Sequence, residues 1–500
     1  MKNMQFSKVK EFLLDNIVVI LFAALVVFGI AASGGGLMGN YAIYFQTLFR
    51  DLLARVFRNS FLVMSLVIPV IAGLGLNFGI VVGAIAGQSA LIFLGYMGHY
   101  YPALGGIGGF FLALLLAMPL AVLFGWLTGK LYNKVRGQEM IAGLIVSYFA
   151  AGVYNFVFMF AVGYIIPVDG LNPIIIPENS QGIAAGIRMT MDLGTIRGSI
   201  DSLIQIPLLY LVMVLAIAMK CYFVFKHVRT FNKTKKVLAV PIVSIAFVVA
   251  LIVLGALNVG GNIFPAILCL LGIVCLLGLL IYFSWEYKRE NPDQTPAGKA
   301  PVIFACAMAA ALALWAAYNI IFETGLTSPL AGRAPVVTAL FSVALFLFTG
   351  YLMKTKLGQD FRAVGQSQHI AEIAGINVNR TRIIATILST VFAAWGMVIF
   401  LQNMGTMSVY ESHRNIGLFA VASILVGGAS TSRASLRNVI VGVILFNAMA
   451  IVAPDIGRFA FGEAVMGEYF RSFMQYAAIG LALGLYVWRA RKASESQNTL

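Results

Sequence analysis

Residues 104–129 read LGGIGGFFLALLLAMPLAVLFGWLTG, and none of them carries a charge. As a helix rising about 1.5 Å per residue, this run outreaches the roughly 30 Å of hydrocarbon in a bilayer. One such run would pass for a buried core helix. The chain repeats the pattern more than ten times, for example at Leu203–Phe225, Val237–Leu257, Ile263–Trp285 and Pro301–Ile321. No soluble core takes that many. Hydrophobic residues make up 60% of 500 positions and charged ones 11%, where a soluble domain carries about a quarter charged. The expectation is an all-α polytopic membrane protein, a single domain over 1–500.

Hydropathy places fourteen spans near 16–32, 60–78, 80–96, 104–129, 139–164, 203–225, 237–257, 263–284, 301–322, 334–353, 384–402, 416–429, 438–454 and 473–489. The segments 80–96 and 416–429 are short and rich in Gly and Ala, so they read as broken or re-entrant helices. The number of true spans is then about 10–14. The first run follows Lys2, Lys8 and Lys10, and the absence of a small-residue cleavage site makes it an uncleaved span.

The net charge of +15 does not point to nucleic acid, because the basic residues sit in short clusters between apolar runs. With both termini in the cytoplasm, all 15 lysines fall on the inner side, as membrane insertion favours. Arg50, Arg55 and Arg58 then lie outside. They alternate with Phe49, Leu52, Leu53 and Val56 at helical spacing, predicting an amphipathic helix on the outer surface. The segment Ile165–Asp201 becomes a long outer loop, and 354–383 a long cytoplasmic one; loops of this length often carry function.

Several chemistries are excluded. Gly125-Trp-Leu-Thr-Gly129-Lys130 is one residue short of a phosphate-binding loop, and Leu131 stands where a hydroxyl is required. The four histidines are scattered, and the four cysteines, Cys221, Cys269, Cys275 and Cys306, lie in or beside apolar runs without metal or disulfide spacing. No enzyme and no cofactor is expected in this chain. Charge inside the spans is scarce, with Glu139 and Lys220 near span ends, which argues against an ion-coupled carrier.

The inner loop reads Arg362-Ala-Val-Gly365, nine residues, then Gly375-Ile376-Asn377-Val378-Asn379-Arg380. This resembles the coupling segment of bacterial ABC importer permeases of the ribose, simple-sugar, nucleoside and branched-chain amino-acid superfamily. Ser367-Gln368 replaces the Asn-Pro often seen there. Gln138-Glu139-Met-Ile141-Ala-Gly-Leu144-Ile-Val-Ser147-Tyr148 resembles a span of the nucleoside and simple-sugar type, with Ser147 in place of an asparagine. Leu76-Asn77-Phe78-Gly79-Ile80 resembles that type's N-x-G motif, though Val81, Val82 and Gly83 replace the acidic triplet that follows it. Asn415-Ile-Gly417 through Ser430 is similar to a second Gly-rich short helix, for which Asn77-Phe-Gly79 is the counterpart.

The resemblance implies a type II ABC importer-like fold in the bacterial cytoplasmic (inner) membrane. Its implied function is a permease subunit moving a simple sugar or nucleoside. The alternatives are a branched-chain amino-acid permease or an ion-coupled secondary carrier. The implied partners are a cytoplasmic ABC ATPase that binds the ATP, a second permease subunit of the same or another kind, and an extracytoplasmic substrate-binding protein. The ATPase would couple through Arg362, Gly365, Ala371, Glu372, Ala374 and Gly375, with Ala371 and Ala374 giving a short helix a smooth face for a groove in the ATPase. The candidate substrate pathway is Asn77, Gly79, Gln88, Ser147, Tyr148 and Asn155. Residues 220–300 stand outside the resemblance as an insertion with two extra spans.

Overall fold

The computed structural model describes residues 17–36, 41–169, 171–175, 186–203, 205–207, 333–430, 433–463, 465–477, 480, 481 and 484. The expected insertion 220–300 and the spans centred within 208–332 lie outside the described residues. Of the described residues, 17–33, 54–203 and 336–484 fall in one compact unit. The other unit contains 34–36, 41–53, 205–207 and 333–335; in it, Gln205–Pro207 pairs antiparallel with Arg333–Pro335. Residues 205–207 are therefore extended, not the first turn of a helix as the apolar run from Leu203 suggests. Pro207 lacks the amide hydrogen that a helix interior needs.

The larger unit is helical. In chain order its elements are α1 (Ile17–Gly36), α2 (Tyr41–Ser65), α3 (Val67–Ile71), α4 (Ile80–Tyr100), α5 (Gly106–Lys134), α6 (Glu139–Phe156), α7 (Val336–Leu352), α8 (Lys356–Gln366), α9 (Gln368–Ile373), α10 (Val378–Met404), α11 (Ser412–Val426) and α12 (Leu436–Phe461); α1 and α2 each run partly into the smaller unit. Among the described residues, 6 helices are long and apolar enough to cross a membrane, or 7 if α7 and α8, bent by 73°, form one broken span. This is an all-α protein with several membrane-crossing helices.

Two expectations need correction. The segment 80–96 is no broken helix: α4 is continuous over 21 residues. Gly83 and Gly87 sit where another backbone crosses, so they serve packing and do not end the helix. The surface helix carrying Arg50, Arg55 and Arg58 is no separate element either, since Tyr41–Ser65 is one helix. Arg58 lies 5.0 Å from the Phe400 ring centre and donates to Asn403 Oδ1 at 2.6 Å, so its charge is absorbed by α10.

Helix α10 is the axis of the bundle. Gly83 and Gly87 of α4 pass over it so closely that a Cβ on Gly83 would lie 2.7 Å from the Cβ of Ala393. Gly125 and Gly129 of α5 meet it from another side, where a Cβ would lie 2.8 Å from the Ile387 Cα and 3.0 Å from the Ile383 Cα. Hydrocarbon offers no hydrophobic drive for helices to pair, so close backbone contact at small residues must supply it. The false phosphate loop Gly125–Lys130 is thus a four-residue glycine spacing that docks two helices. The other face of α5 exposes Phe111, Leu115, Leu123, Trp126 and Leu127, an apolar surface suited to lipid.

Local signals set the helix ends. Thr355 caps α8 by accepting from Gly358 N, and Ser367 caps α9 by accepting from Ile370 N at 3.3 Å. Asn377 caps α10 by accepting from Arg380 N at 3.0 Å, and Ser435 with Asn438 forms a capping box on α12. Such caps satisfy amides that have no partner inside the helix. Gly405 ends α10 at φ +78°, a left-handed stop that glycine adopts without strain.

At that end of α10 the described residues of the loop Ile165–Asp201 are laced to the rest of the chain. The short strand Thr190–Asp192 pairs antiparallel with the strand Thr406–Ser408. Leu193 N donates to Gly405 O at 3.0 Å and Tyr410 Oη donates to Ile187 O at 2.7 Å. Asp169 accepts from the Tyr100 hydroxyl at 2.7 Å and from Leu171 N at 2.9 Å, which holds its carboxyl below the ordinary carboxylate range.

Candidate functional site

The polar residues singled out in the spans fall into two hydrogen-bonded nodes and one exposed position. At the first node Asn77 is buried just before α4. Its Oδ1 accepts from Gly79 N at 3.0 Å and from Tyr132 Oη at 2.7 Å, and its Nδ2 donates to Ser389 Oγ at 3.2 Å. A four-residue segment from Leu76 to Gly79 is thereby pinned to α5 and α10. Gly79 is required by that closeness, since a Cβ there would lie 2.7 Å from Tyr132 Oη. Ser147 joins from α6, its hydroxyl lying 2.6 Å from Phe78 O and 2.8 Å from Gly143 O.

The second node is at Gln88, fully buried in the middle of α4. Its Nε2 donates to Ser408 O at 3.2 Å and Val409 O at 2.6 Å, which fixes the amide so that Oε1 faces His413 Nδ1 at 3.1 Å. An acceptor there requires the hydrogen on Nδ1. His413 Nε2 is then a buried lone pair, without a partner among the described residues. The Tyr154 ring packs edge-on against His413 with centroids 4.8 Å apart, and Tyr154 Oη and Asn155 Oδ1 are likewise unpartnered and buried. In the sequence His413 is one of four scattered histidines, marked only by its place beside the second Gly-rich segment. Tyr148 stands apart, 65% exposed, with the Arg414 guanidinium 5.9 Å from its ring centre.

The segment read as the coupling element is a pair of short helices at the start of α10. Gly365 and Gly375 do bracket α9. Gly375 has φ +78° with open space around it, while Gly365 lies against Ile71 and Gly73. Ser367, the departure from the family pattern, supplies the cap. One expectation fails here. Ala371 is 1% exposed and packs with Val364 and Val378, so it faces its own bundle and offers no surface to another protein. At helical spacing the opposite face belongs to Ile370, 67% exposed, and Ile373, 75% exposed. Arg362, Glu372 and Ala374 are also exposed.

The helix pair is tied to the α5–α6 turn. Arg136 Nη1 lies 3.6 Å from Glu372 Oε1, and its Nη2 donates to Asn379 Oδ1 at 2.7 Å. Asn133 Nδ2 donates to Asn379 O at 3.0 Å. Beneath them Arg382 and Glu139 form an ion pair inside the bundle. In the sequence Glu139 is a span-end charge and part of the Gln138–Tyr148 motif, but nothing there points to its partner, 243 positions away.

No family model matches the chain, and no solved structure matches it. Curated relatives are found at low identity. The chain is 31% identical over 136 residues to "Probable ABC transporter permease protein YphD" of Escherichia coli, covering 26% of this chain and 40% of that protein. It is 26% identical over 222 residues to the xylose transport system permease protein XylH of Haemophilus influenzae, covering 44% and 54%. It is 24% identical over 160 residues to the nucleoside ABC transporter permease protein NupB of Lactococcus lactis, covering 31% and 42%. The matches thus span about half or less of the length of these relatives. The chain is a membrane-spanning protein related to ABC importer permeases, and those relatives are transport subunits, not enzymes.

Proposed function

We propose that this chain is the permease subunit of an ABC importer, with the type II arrangement of spans, in the bacterial cytoplasmic membrane with both termini inside. It works with a second permease subunit, a separate ATPase that binds the ATP, and a binding protein that delivers the solute. The observation that carries the reading is the α8–α9 pair. A short helix is held rigidly at a span entrance by glycines, caps and polar ties, yet turns Ile370 and Ile373 outward. Two large apolar side chains on one exposed turn suit a groove in a partner better than water. The solute is a polyhydroxy compound of the simple-sugar or nucleoside kind. Relatives are named for xylose and nucleoside transport, and the polar groups inside the spans are mostly uncharged. Asn77, Gly79, Gln88 and Ser147 shape the helices around the pathway, and Tyr148 and Asn155 stand nearest its surface.

The test is affinity purification of the tagged chain from its own host, followed by the variants Ile370→Arg and Ile373→Arg. Both sit outside the bundle and should reach the membrane at normal abundance. Both should lose the co-purifying ATPase. Retention of the ATPase and of full transport by both variants would remove α9 as the dock.

A further inference from the structure

Arg382 is fully buried and the Glu139 side chain is 9% exposed. Arg382 Nη2 donates to both Glu139 Oε1 and Tyr132 O, the latter at 3.1 Å. Its Nε and Nη1 have no hydrogen-bond partner among the described residues. A guanidinium has five N–H donors, and leaving part of it unmet in an apolar interior is costly. A packed apolar pair would serve stability as well or better. Fold maintenance therefore does not account for these two charges.

Their position does. Arg382 lies in the first turns of α10, directly after the α8–α9 pair. Glu139 is the first residue of α6. The surrounding ties, Arg136 with Glu372 and Asn379, and Asn133 with Asn379, run to the same turn between α5 and α6. A displacement of α9 thus reaches the base of α6 through polar bonds of fixed direction. At its far end α6 carries Tyr154 against His413. The unmet nitrogens of Arg382 supply what a two-state joint needs, since a shift of α6 can exchange one set of acceptors for another.

We propose that Arg382 and Glu139 are positioning residues, forming the joint that converts motion of the α8–α9 pair into motion of α6. The inference rests on the permease reading above. The experiment uses the full chain with its co-purified ATPase in lipid nanodiscs. A reporter cysteine replaces Gly152, an exposed α6 position with open space around it, in a background with the 4 native cysteines changed to serine. Maleimide labelling is compared without nucleotide and with ATP and vanadate. In the parent the labelling rate changes on nucleotide trapping. In the double variant Glu139→Gln, Arg382→Met, which removes both charges together, membrane abundance and ATPase binding persist but the nucleotide-dependent change is lost. If the double variant keeps that change, the pair is only structural and the joint is overturned. If the double variant fails to reach the membrane, Arg136→Gln decides. That side chain is 42% exposed, so the fold survives its loss. A reduced change supports the joint, and an undiminished one overturns it. A parent that binds no ATPase defeats the permease reading itself and this inference with it, a result distinct from loss in the variants alone.

Discussion

Gly73 and Gly365 meet backbone to backbone: a Cβ added to Gly73 would lie 2.8 Å from the Gly365 Cα. This contact seats α8 on the link between α3 and α4, and Gly73 also holds φ +73°. Gly365→Ala should therefore force two backbones apart, at a cost of about 1–3 kcal/mol. Gly375→Ala meets no neighbour and carries only left-handed strain, about 1 kcal/mol. Thermal unfolding followed by fluorescence size exclusion should rank Gly365→Ala as the more damaging. The reverse order would mean that α8 is not seated there.

Ala371→Arg should behave unlike Ile370→Arg. Burying a guanidinium beside Val364 and Val378 disrupts the helix pair itself. The expected result is lowered abundance or raised protease sensitivity for Ala371→Arg and neither for Ile370→Arg. Equal abundance and protection would place Ala371 on the surface after all.

Gln88→Leu removes the donor for Ser408 O and Val409 O and the acceptor for His413. Each buried group left unpaired costs about 1–3 kcal/mol. The variant should unfold at lower temperature than wild type, and the segment 405–411 should exchange its amide hydrogens faster. Unchanged exchange in that segment would show that Gln88 does not hold it.

Sidedness is testable with single cysteines. Asn377 is exposed beside α9, and Met189, 72% exposed, lies at the opposite end of α10. Asn377→Cys should react with an impermeant maleimide only after the membrane is opened, and Met189→Cys in intact cells. Labelling of both from the same side would end the proposed topology.

Purified without partners, the chain should hydrolyse no ATP above background, because Gly125–Lys130 lies in a packed helix and leaves no loop to cradle phosphate. Hydrolysis that survives removal of every co-purifying ATPase would overturn the division of labour.

The sequence by itself determined that the chain crosses a membrane many times, because uncharged runs near 20 residues have no other economical solvent. It also marked α8–α9 and its end at Gly375, because glycines, Ser367, Thr355 and Asn377 act on their immediate neighbours and so are readable locally. Only the tertiary structure decided which side of α9 faces outward, since Ala371 is buried by Val364 and Val378 rather than by anything in its own helix. The same holds for Asn77 and Gln88, whose partners at 389, 408 and 413 lie more than 300 positions away. Arg382 with Glu139 is the extreme case. Each looks like an ordinary charge at the end of a span, and only the packing of α6 and α10 against α5 brings the two helix starts together out of water. Burial and pairing are properties of that packing, and no periodicity along the chain encodes them.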